Sequence, residues 1–558
     1  MKNKLNLLLQ ATIEDCFKEG RLKPTALPSY VIEVPNNPEH GHFATNLPLA
    51  LASSQRRPPR EIASIIISSL RDDENVVEKA EAAGPGFINF RIKQEQWYRV
   101  LSDILNLRED YGKNEAGVGE RVLVEFVSAN PTGPLHLGHG RGAALGDTLC
   151  RVLSVSGYEV VREFYINDAG QQINLLGESV FSRFKQMHDR DYPFPQNGYH
   201  GEYIMDLAEK ISRETDLDKM NPDEAVKYCA EMGRKLMLEE IKEDLSLFKV
   251  PFDVWFSEND LHESGLMQDA LRSISEKGHL YEKEGALWIK TSDFGDDKDR
   301  VIKKSDGQFT YFASDIAYHV EKRSRGFTKA INIWGADHHG YVPRTKAALE
   351  AYGVPKNWLT VVLIQLVKLW KGGQEIRMSK RAGQYVTLRE LIDEVGVDAA
   401  RFVFLTKHHD STLDFDVDLV KKQDSDNPVY YVQYAHARIC SIFRKASSEG
   451  ITVSEPQNGL LVLLKLGEEM ELIRLMAGFP GLLEEISRTL EPHRLTYFLT
   501  DLAASFHKYF NLGNKHPEYR VVTADREMSH ARLLLVEAVR TVIANGLRLL
   551  GINAPEKM

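Results

Sequence analysis

Apolar residues recur along this chain with two periods. A short β-branched run spans 121–127 (Arg121-Val-Leu-Val-Glu-Phe-Val127), and further runs stand at 160–168, 286–291, 329–337 and 360–367. Runs of that length, separated by stretches of helical spacing, read as buried strands alternating with helices. The alternation predicts a mostly parallel, doubly wound α/β sheet of Rossmann-like type. A Pro/Gly loop follows the first run, and a helix is expected from about Gly140. Between roughly 180 and 285 the pattern turns helical and strongly charged, as at Glu239, Glu240, Lys242, Glu243 and Asp244, and reads as an insertion into the sheet. After about 410 no strand pattern is clear. Leu460, Leu461, Leu464, Met470, Ile473 and Met476 keep helical spacing, as do Leu533, Val536, Val539, Val542 and Leu547, so this part is expected to be an all-α bundle. Before 110 helices mix with short strands; after the Gly84-Pro85-Gly86 turn, Ile88 and Phe90 are expected to face a core. The resulting division is an α+β unit at 1–112, the α/β unit at 113–405 with its insertion at about 180–285, and the helical unit at 406–558.

Length agrees with this division, because 558 residues exceed what one core accommodates and suggest about three to four domains. No run of about 18 apolar residues exists, so no membrane span is expected. Met1 to Gly20 reads as an amphipathic helix carrying Glu14 and Asp15, unlike a secretory or transit leader, and a cytoplasmic protein is expected. Cys16, Cys150, Cys229 and Cys440 are scattered, which argues against structural zinc and against a disulfide framework. The net charge of -10 does not exclude a nucleic-acid partner, since binding follows local patches. Arg56, Arg57 and Arg60 form one basic cluster and Lys303 with Lys304 another; each is equally readable as a solvated face.

Two segments carry candidate chemistry. Pro134-Leu-His-Leu-Gly-His-Gly140 sits between the first strand and its helix. Amides at a helix N-terminus favour phosphate, and Gly138 lets a planar base come close to the backbone. His136 and His139 could donate to the oxygens of one phosphate as charge shifts during a displacement. The second segment, Arg377-Met-Ser-Lys-Arg-Ala-Gly383, follows the last strand and could bring Lys380 to the same phosphates from the opposite side. Either alone reads as readily as a tight turn or a basic loop.

Taken together, with the histidine segment after the first strand and Met378-Ser379-Lys380 after the last, they resemble class I aminoacyl-tRNA synthetases. Glu125 to Gly133 (EFVSANPTG), Tyr165 to Gly170 (YINDAG), Asp315 to His319 (DIAYH) and Asn427 to Arg438 (NPVYYVQYAHAR) narrow the resemblance to the arginyl-tRNA synthetase family. That resemblance implies an ATP-dependent ligase for L-arginine and tRNA-Arg. It implies catalysis by His136, His139 and Lys380, and ATP contacts at Gly138, Met378 and Ser379. Asp337 follows a strand at the sheet edge where a nucleotide ribose normally sits, and is equally readable as a strand-end turn residue. The resemblance also implies an N-terminal module for the tRNA elbow and an anticodon-binding bundle, where Tyr431, Tyr434 and Met558 are candidates. Mg²⁺ on the phosphates, no zinc, a monomer and activation that requires bound tRNA are further expectations.

Arginine contacts are implied at Glu125, Ser128, Asn130, Tyr311 and Asp315. A guanidinium is always charged and planar, so its pocket needs a carboxylate and oriented oxygens. Tyr311 and Asp315, on one face of a helix beginning near Thr310, could supply both. Their plainer readings are a core aromatic and a helix-surface acid. The loop departs from the class pattern at Arg377 and Arg381, yet no lysine lies between Val122 and Leu135 to take over from Lys380. A cysteinyl enzyme should show zinc-ligand cysteines, and an editing enzyme a larger insertion. A non-catalytic tRNA-binding relative stays open.

Overall fold

The computed structural model of the chain describes residues 1–168, 170–376, 386–452 and 458–558. Five strands form the central sheet: β1 (Arg121–Glu125), β2 (Glu159–Ile166), β3 (Val254–Ser257), β4 (Lys329–Gly335) and β5 (Leu359–Ile364). Their order is β5-β4-β1-β2-β3, and every neighbouring pair is parallel. Parallel neighbours need crossovers. Helices α1 (Leu137–Val155), α2 (Tyr311–Ser324) and α3 (Tyr341–Tyr352) lie in the connections into β2, β4 and β5. The chain builds outward from β1 to β2 and β3, then returns to its other side for β4 and β5. The switch point therefore lies between β1 and β4, where such sheets open a crevice beyond their carboxyl ends.

Three expectations about strands change. Residues 286–289 do form a strand, but in a separate three-stranded antiparallel sheet with Leu280–Lys283 and Arg300–Lys303. The cause is local: Glu284 and Gly285 both have positive φ (55° and 74°), a two-residue turn that sends the chain straight back. The fifth strand of the main sheet is instead β3, inside the stretch read as helical insertion; four residues between charged helices give little periodicity to read. A strand also exists after 410, Leu413–Asp416, parallel to Val367–Lys371. Its buried Leu413 and Phe415 alternate with Asp414 and Asp416, a half-buried pattern too short to stand out.

The helical C-terminal part packs as expected, with Leu533, Val536, Val539, Val542 and Leu547 fully buried on helix Arg526–Leu549. In the N-terminal part, strand Phe87–Ile92 buries Ile88, Phe90 and Ile92. Helix Gln94–Leu107 and the turn after it tie this part to the bundle, Tyr98 Oη donating to the Leu464 carbonyl (2.8 Å) and Tyr111 Oη to that of Met476 (3.0 Å). All four cysteines are buried free thiols. Among the described residues no helix is long and apolar enough to cross a membrane.

Candidate active site

Helix α1 starts three residues earlier than expected, with His136 itself as N-cap. Its Nδ1 accepts from Gly138 N (3.1 Å), while Nδ1 of His139 accepts from His136 N (3.3 Å). Two of the four orphan amides at this terminus are satisfied by imidazoles, a capping box built from histidine. The consequence is chemical as well as structural. With Nδ1 accepting, each neutral ring carries its proton on Nε2, so both rings present a donor at the positive end of a 19-residue helix. The rings stack at 3.8 Å and 16°. A Cβ on Gly138 would come within 3.1–3.2 Å of the His136 ring, and one on Gly140 within 2.7 Å of Leu388, so side chains at either position would push on this turn.

Lys380, Met378 and Ser379 lie outside the described residues. Beside the histidines, Thr387 bridges His136, and Leu388 N donates to the Leu135 carbonyl at 2.7 Å.

Beyond the end of β1 the backbone turns sharply. Val127 and Ser128 both have positive φ, 67° and 40°, an uncommon conformation for any side chain and an outlier for a β-branched one. Strain of that kind, about 1–3 kcal/mol per residue, persists only where surroundings enforce it. Here it turns Ser128 Oγ back to donate to Glu125 Oε1 (3.0 Å) and accept from Tyr165 N (3.2 Å).

Register then sets the floor of the crevice. Asn332 on β4, Glu125 on β1 and Glu163 on β2 lie side by side at one level. Helix α2 covers them with a stripe of 4-3-4 spacing, Tyr311, Asp315, Tyr318 and Lys322. Lys322 Nζ donates to Glu125 Oε2 (2.5 Å), and Tyr318 Oη to Glu163 Oε1 (2.7 Å). Burial pushes the Asp315 carboxyl up to about 7, and the nearby Glu125 and Glu258 carboxylates add to the rise. Glu258 directly follows β3 and is itself buried. Three carboxylates thus converge at the carboxyl ends of β1 and β3 and on the first turns of α2.

Tyr311 opens α2, with Thr310 as N-cap, and is 67% exposed. Its hydroxyl reaches over the loop after β2, where a Cβ on Gly170 would sit 3.6 Å away. Asn130 donates to Gln172 Oε1 (2.6 Å) on the other side of that loop. Asp168 is a clamp: Ser257 Oγ, Asn259 N and Arg234 all bind its carboxylate, joining β2, β3 and the insertion. Asp337 stands in a short turn directly after β4, its side chain 84% exposed.

A second concavity lies in the bundle, a cavity of about 910 Å³ lined by Tyr434, Arg438, Lys445, Arg520, Lys557 and Met558 among others. Arg438 stacks on the Tyr434 ring (4.5 Å) and donates to its hydroxyl (3.1 Å). Met558 is 52% exposed there. The 553–558 segment is pinned by His436 Nδ1 to the Pro555 carbonyl (2.8 Å) and Gln433 to that of Asn553 (2.9 Å). Tyr431 does not share the cavity lining. It packs on His507 (4.6 Å between ring centres), one turn back and on the inner side of the helix.

Sequence reasoning missed Glu258, Lys322, Asn332 and Glu163. The 4-3-4 polar stripe on a mostly buried helix was the readable signal for Lys322. The strand partners become visible only through register.

Comparison with known proteins agrees along the whole length. Residues 3–92 match the arginyl tRNA synthetase N terminal domain, 100–438 the catalytic domain of tRNA synthetases class I (R), and 432–558 the DALR anticodon binding domain. An arginine–tRNA ligase of Desulfosudis oleivorans is 48% identical over 562 aligned residues, covering 100% of both chains. That of Syntrophotalea carbinolica is 46% identical over 560, again covering 100% of both. The solved structure of Thermus thermophilus arginyl-tRNA synthetase superposes with a TM-score of 0.77 at 25% identity, covering 99% of each chain. Since the similarity runs from one end to the other and includes the strand, turn and helix that build the crevice, the chain belongs to the arginyl-tRNA synthetase family.

Proposed function

We propose that the histidine turn and the carboxylate pocket divide between them the arginine–tRNA ligase reaction of this chain. The observation that carries the reading is the convergence of Asp315, Glu125 and Glu258 in the crevice whose rim bears His136 and His139. A pocket of three carboxylates, Glu125 and Glu258 buried and Asp315 half-buried, is unstable by itself and suits a ligand that brings cations. Arginine brings two, a planar guanidinium and an α-ammonium. Asp315 and Glu258, with the Tyr311 hydroxyl, take the guanidinium; Glu125, Ser128 and Asn130 take the α-ammonium end.

So held, the substrate carboxylate faces the α1 terminus. One of its oxygens attacks the ATP α-phosphorus as the bond to the pyrophosphate oxygen breaks, giving arginyl-adenylate and pyrophosphate. The Nε2 donors of His136 and His139, and Lys380, stabilise the charge that spreads over the phosphate oxygens. Gly138 borders the base, Met378 and Ser379 contribute further ATP contacts, and Asp337, beyond β4, binds the ribose. The terminal ribose hydroxyl of tRNA-Arg then attacks the activated carbonyl and AMP leaves. Mg²⁺ bound to the ATP phosphates would offset their charge; among the described residues no group of three or more His, Cys, Asp or Glu could hold a metal ion of its own. The bundle cavity receives anticodon bases, stacked on Tyr434 and Met558 and steered by the surrounding cations. Units at 1–112, 113–405 and 406–558 act as a cytoplasmic monomer in this reading.

ATP–pyrophosphate exchange with each amino acid in turn, with and without tRNA, tests the core of it. Exchange is expected with arginine alone and only with tRNA present; exchange with another amino acid would overturn the pocket assignment. Lys380→Ala is expected to slow exchange by about 10²-fold at unchanged Tm; near-normal exchange would remove Lys380 from the mechanism. For Tyr434→Ala, loss of one stacked base, worth about 1–3 kcal/mol, should raise KM for tRNA roughly 10–100-fold in aminoacylation at nearly constant kcat. An unchanged KM for tRNA would return Tyr434 to simple packing.

A further inference from the structure

We propose that Lys322 is a positioning residue for arginine recognition: its buried ammonium, oriented through Asn332 and His319, fixes Glu125 and offsets the repulsion among the carboxylates that face the substrate. This rests on reading that cluster as the arginine pocket.

Lys322 is 0% exposed. Removing an ammonium from water costs several kcal/mol, and buried ion pairs can often be replaced by apolar side chains without loss of stability. Stability is therefore a poor reason for a lysine here, and its partners point to another. Nζ has three protons. One goes to Glu125 Oε2 (2.5 Å) and one to Asn332 Oδ1 (3.1 Å), while the ammonium lies 4.2 Å from the centre of the Tyr318 ring.

Each link in this chain has only one orientation. His319 Nδ1 lies 2.7 Å from the Asp315 carbonyl, an acceptor only, so that nitrogen carries the proton and Nε2 must accept. Asn332 Nδ2 donates to it at 2.8 Å, which turns Oδ1 toward Lys322. Burial and the adjacent Lys322 charge hold His319 down to about 3, so the ring stays neutral at working pH. The other oxygen of Glu125 is held by Ser128. Glu125 is thus gripped on both sides, by the strained turn and by Lys322.

Every element around the ammonium contributes a titratable or polar neighbour: Glu125 from β1, Glu163 from β2, Asn332 from β4, and Asp315, Tyr318 and His319 from α2. Arg325 does not substitute for Lys322, because it is engaged by Glu163 and Glu321. Without Lys322 the cluster would relieve its repulsion by taking up protons, and a protonated pocket attracts a guanidinium poorly.

The test is Lys322→Gln, with Lys322→Met beside it, in the full-length protein. Arginine and ATP KM values are measured between pH 6 and 9, with Tm alongside. We expect the arginine KM to rise about 10–100-fold, the ATP KM to stay within about twofold, and the pH midpoint of kcat/KM for arginine to move alkaline by about one pH unit. A purely structural role would lower Tm and leave that midpoint in place, which would overturn the proposal. Should neither variant fold, Asn332→Ala decides, since it keeps the ion pair and removes only the amide that aims it; a severalfold rise in arginine KM supports the role and an unchanged KM overturns it. Asp315→Asn in the same assay separates the two readings. Wild-type arginine KM in that variant would mean that the pocket itself is misassigned. Loss there with wild-type behaviour in Lys322→Gln would remove Lys322 alone.

Discussion

Asp315→Asn is expected to raise the KM for arginine by about 10²–10³-fold while making the unliganded protein more stable at pH 8. The first effect follows from leaving a guanidinium in a buried pocket without a charged partner, a loss of about 3–5 kcal/mol. The second follows from the free pocket. The Asp315 carboxyl titrates at about 7 when folded, through burial and then Glu125 and Glu258, against an ordinary value of 3.8. A folded-state value above the unfolded one means the folded state holds the proton more tightly. Its favourable contribution is complete below pH 4 and is lost as the pH rises to 7; above that the ionised group weighs against folding by about 2–4 kcal/mol. Asparagine is neutral throughout, so the Tm advantage of the variant should be present at pH 8 and vanish near pH 4. In the wild type, bound arginine favours the ionised carboxylate, so arginine affinity should rise with pH and level off above about 7. Thermal melts and arginine titrations at pH 4, 6 and 8 check both signs. If Asp315→Asn were less stable at pH 8 and bound arginine normally, Asp315 would be a structural acid and nothing more.

This opposition between stability and binding also explains what could be read from the sequence. His136 and His139 are three apart in one contiguous segment, so their convergence at a helix start needs no tertiary information. Tyr311 and Asp315 are likewise joined by the geometry of a single helix. Glu258 could not be found in that way. It follows a four-residue strand, Val254–Ser257, that lies between charged helices, and only the order of the sheet brings it near Asp315. Asn332 and Glu125 are more than two hundred residues apart and become neighbours through parallel register alone. The two tyrosines of the bundle show the same limit at smaller scale. Tyr431 and Tyr434 lie less than one turn apart on a half-buried helix face; both pack on His507, and that only Tyr434 also lines the cavity depends on which helix packs behind it. Parallel packing of the central sheet was legible because its strands are predominantly apolar runs alternating with helical stretches; the antiparallel return at 284–285 depended on two backbone angles.

The paired substitutions His136→Asn and His139→Gln are expected to lower kcat for adenylate formation by about 10²–10³-fold each, with Tm nearly unchanged. The choice of replacements separates two roles that each histidine holds at once. Nδ1 of each ring caps the α1 terminus, and only the far nitrogen can reach a phosphate. Asparagine is among the best N-cap residues, and glutamine at the third helical position is the usual partner that reaches back to the N-cap amide. Both variants therefore keep the capping hydrogen bonds while shortening or removing the distal donor. Because the stacked rings serve one phosphate, the double variant should lose far less than the product of the single losses, as groups acting in one transition state do. Arginine KM should stay near its normal value in all three, since the carboxylate pocket is untouched. The opposite pattern, a drop in Tm of several degrees with kcat preserved, would mean that the histidines serve only to start the helix, and catalysis would then have to rest on the helix terminus and Lys380.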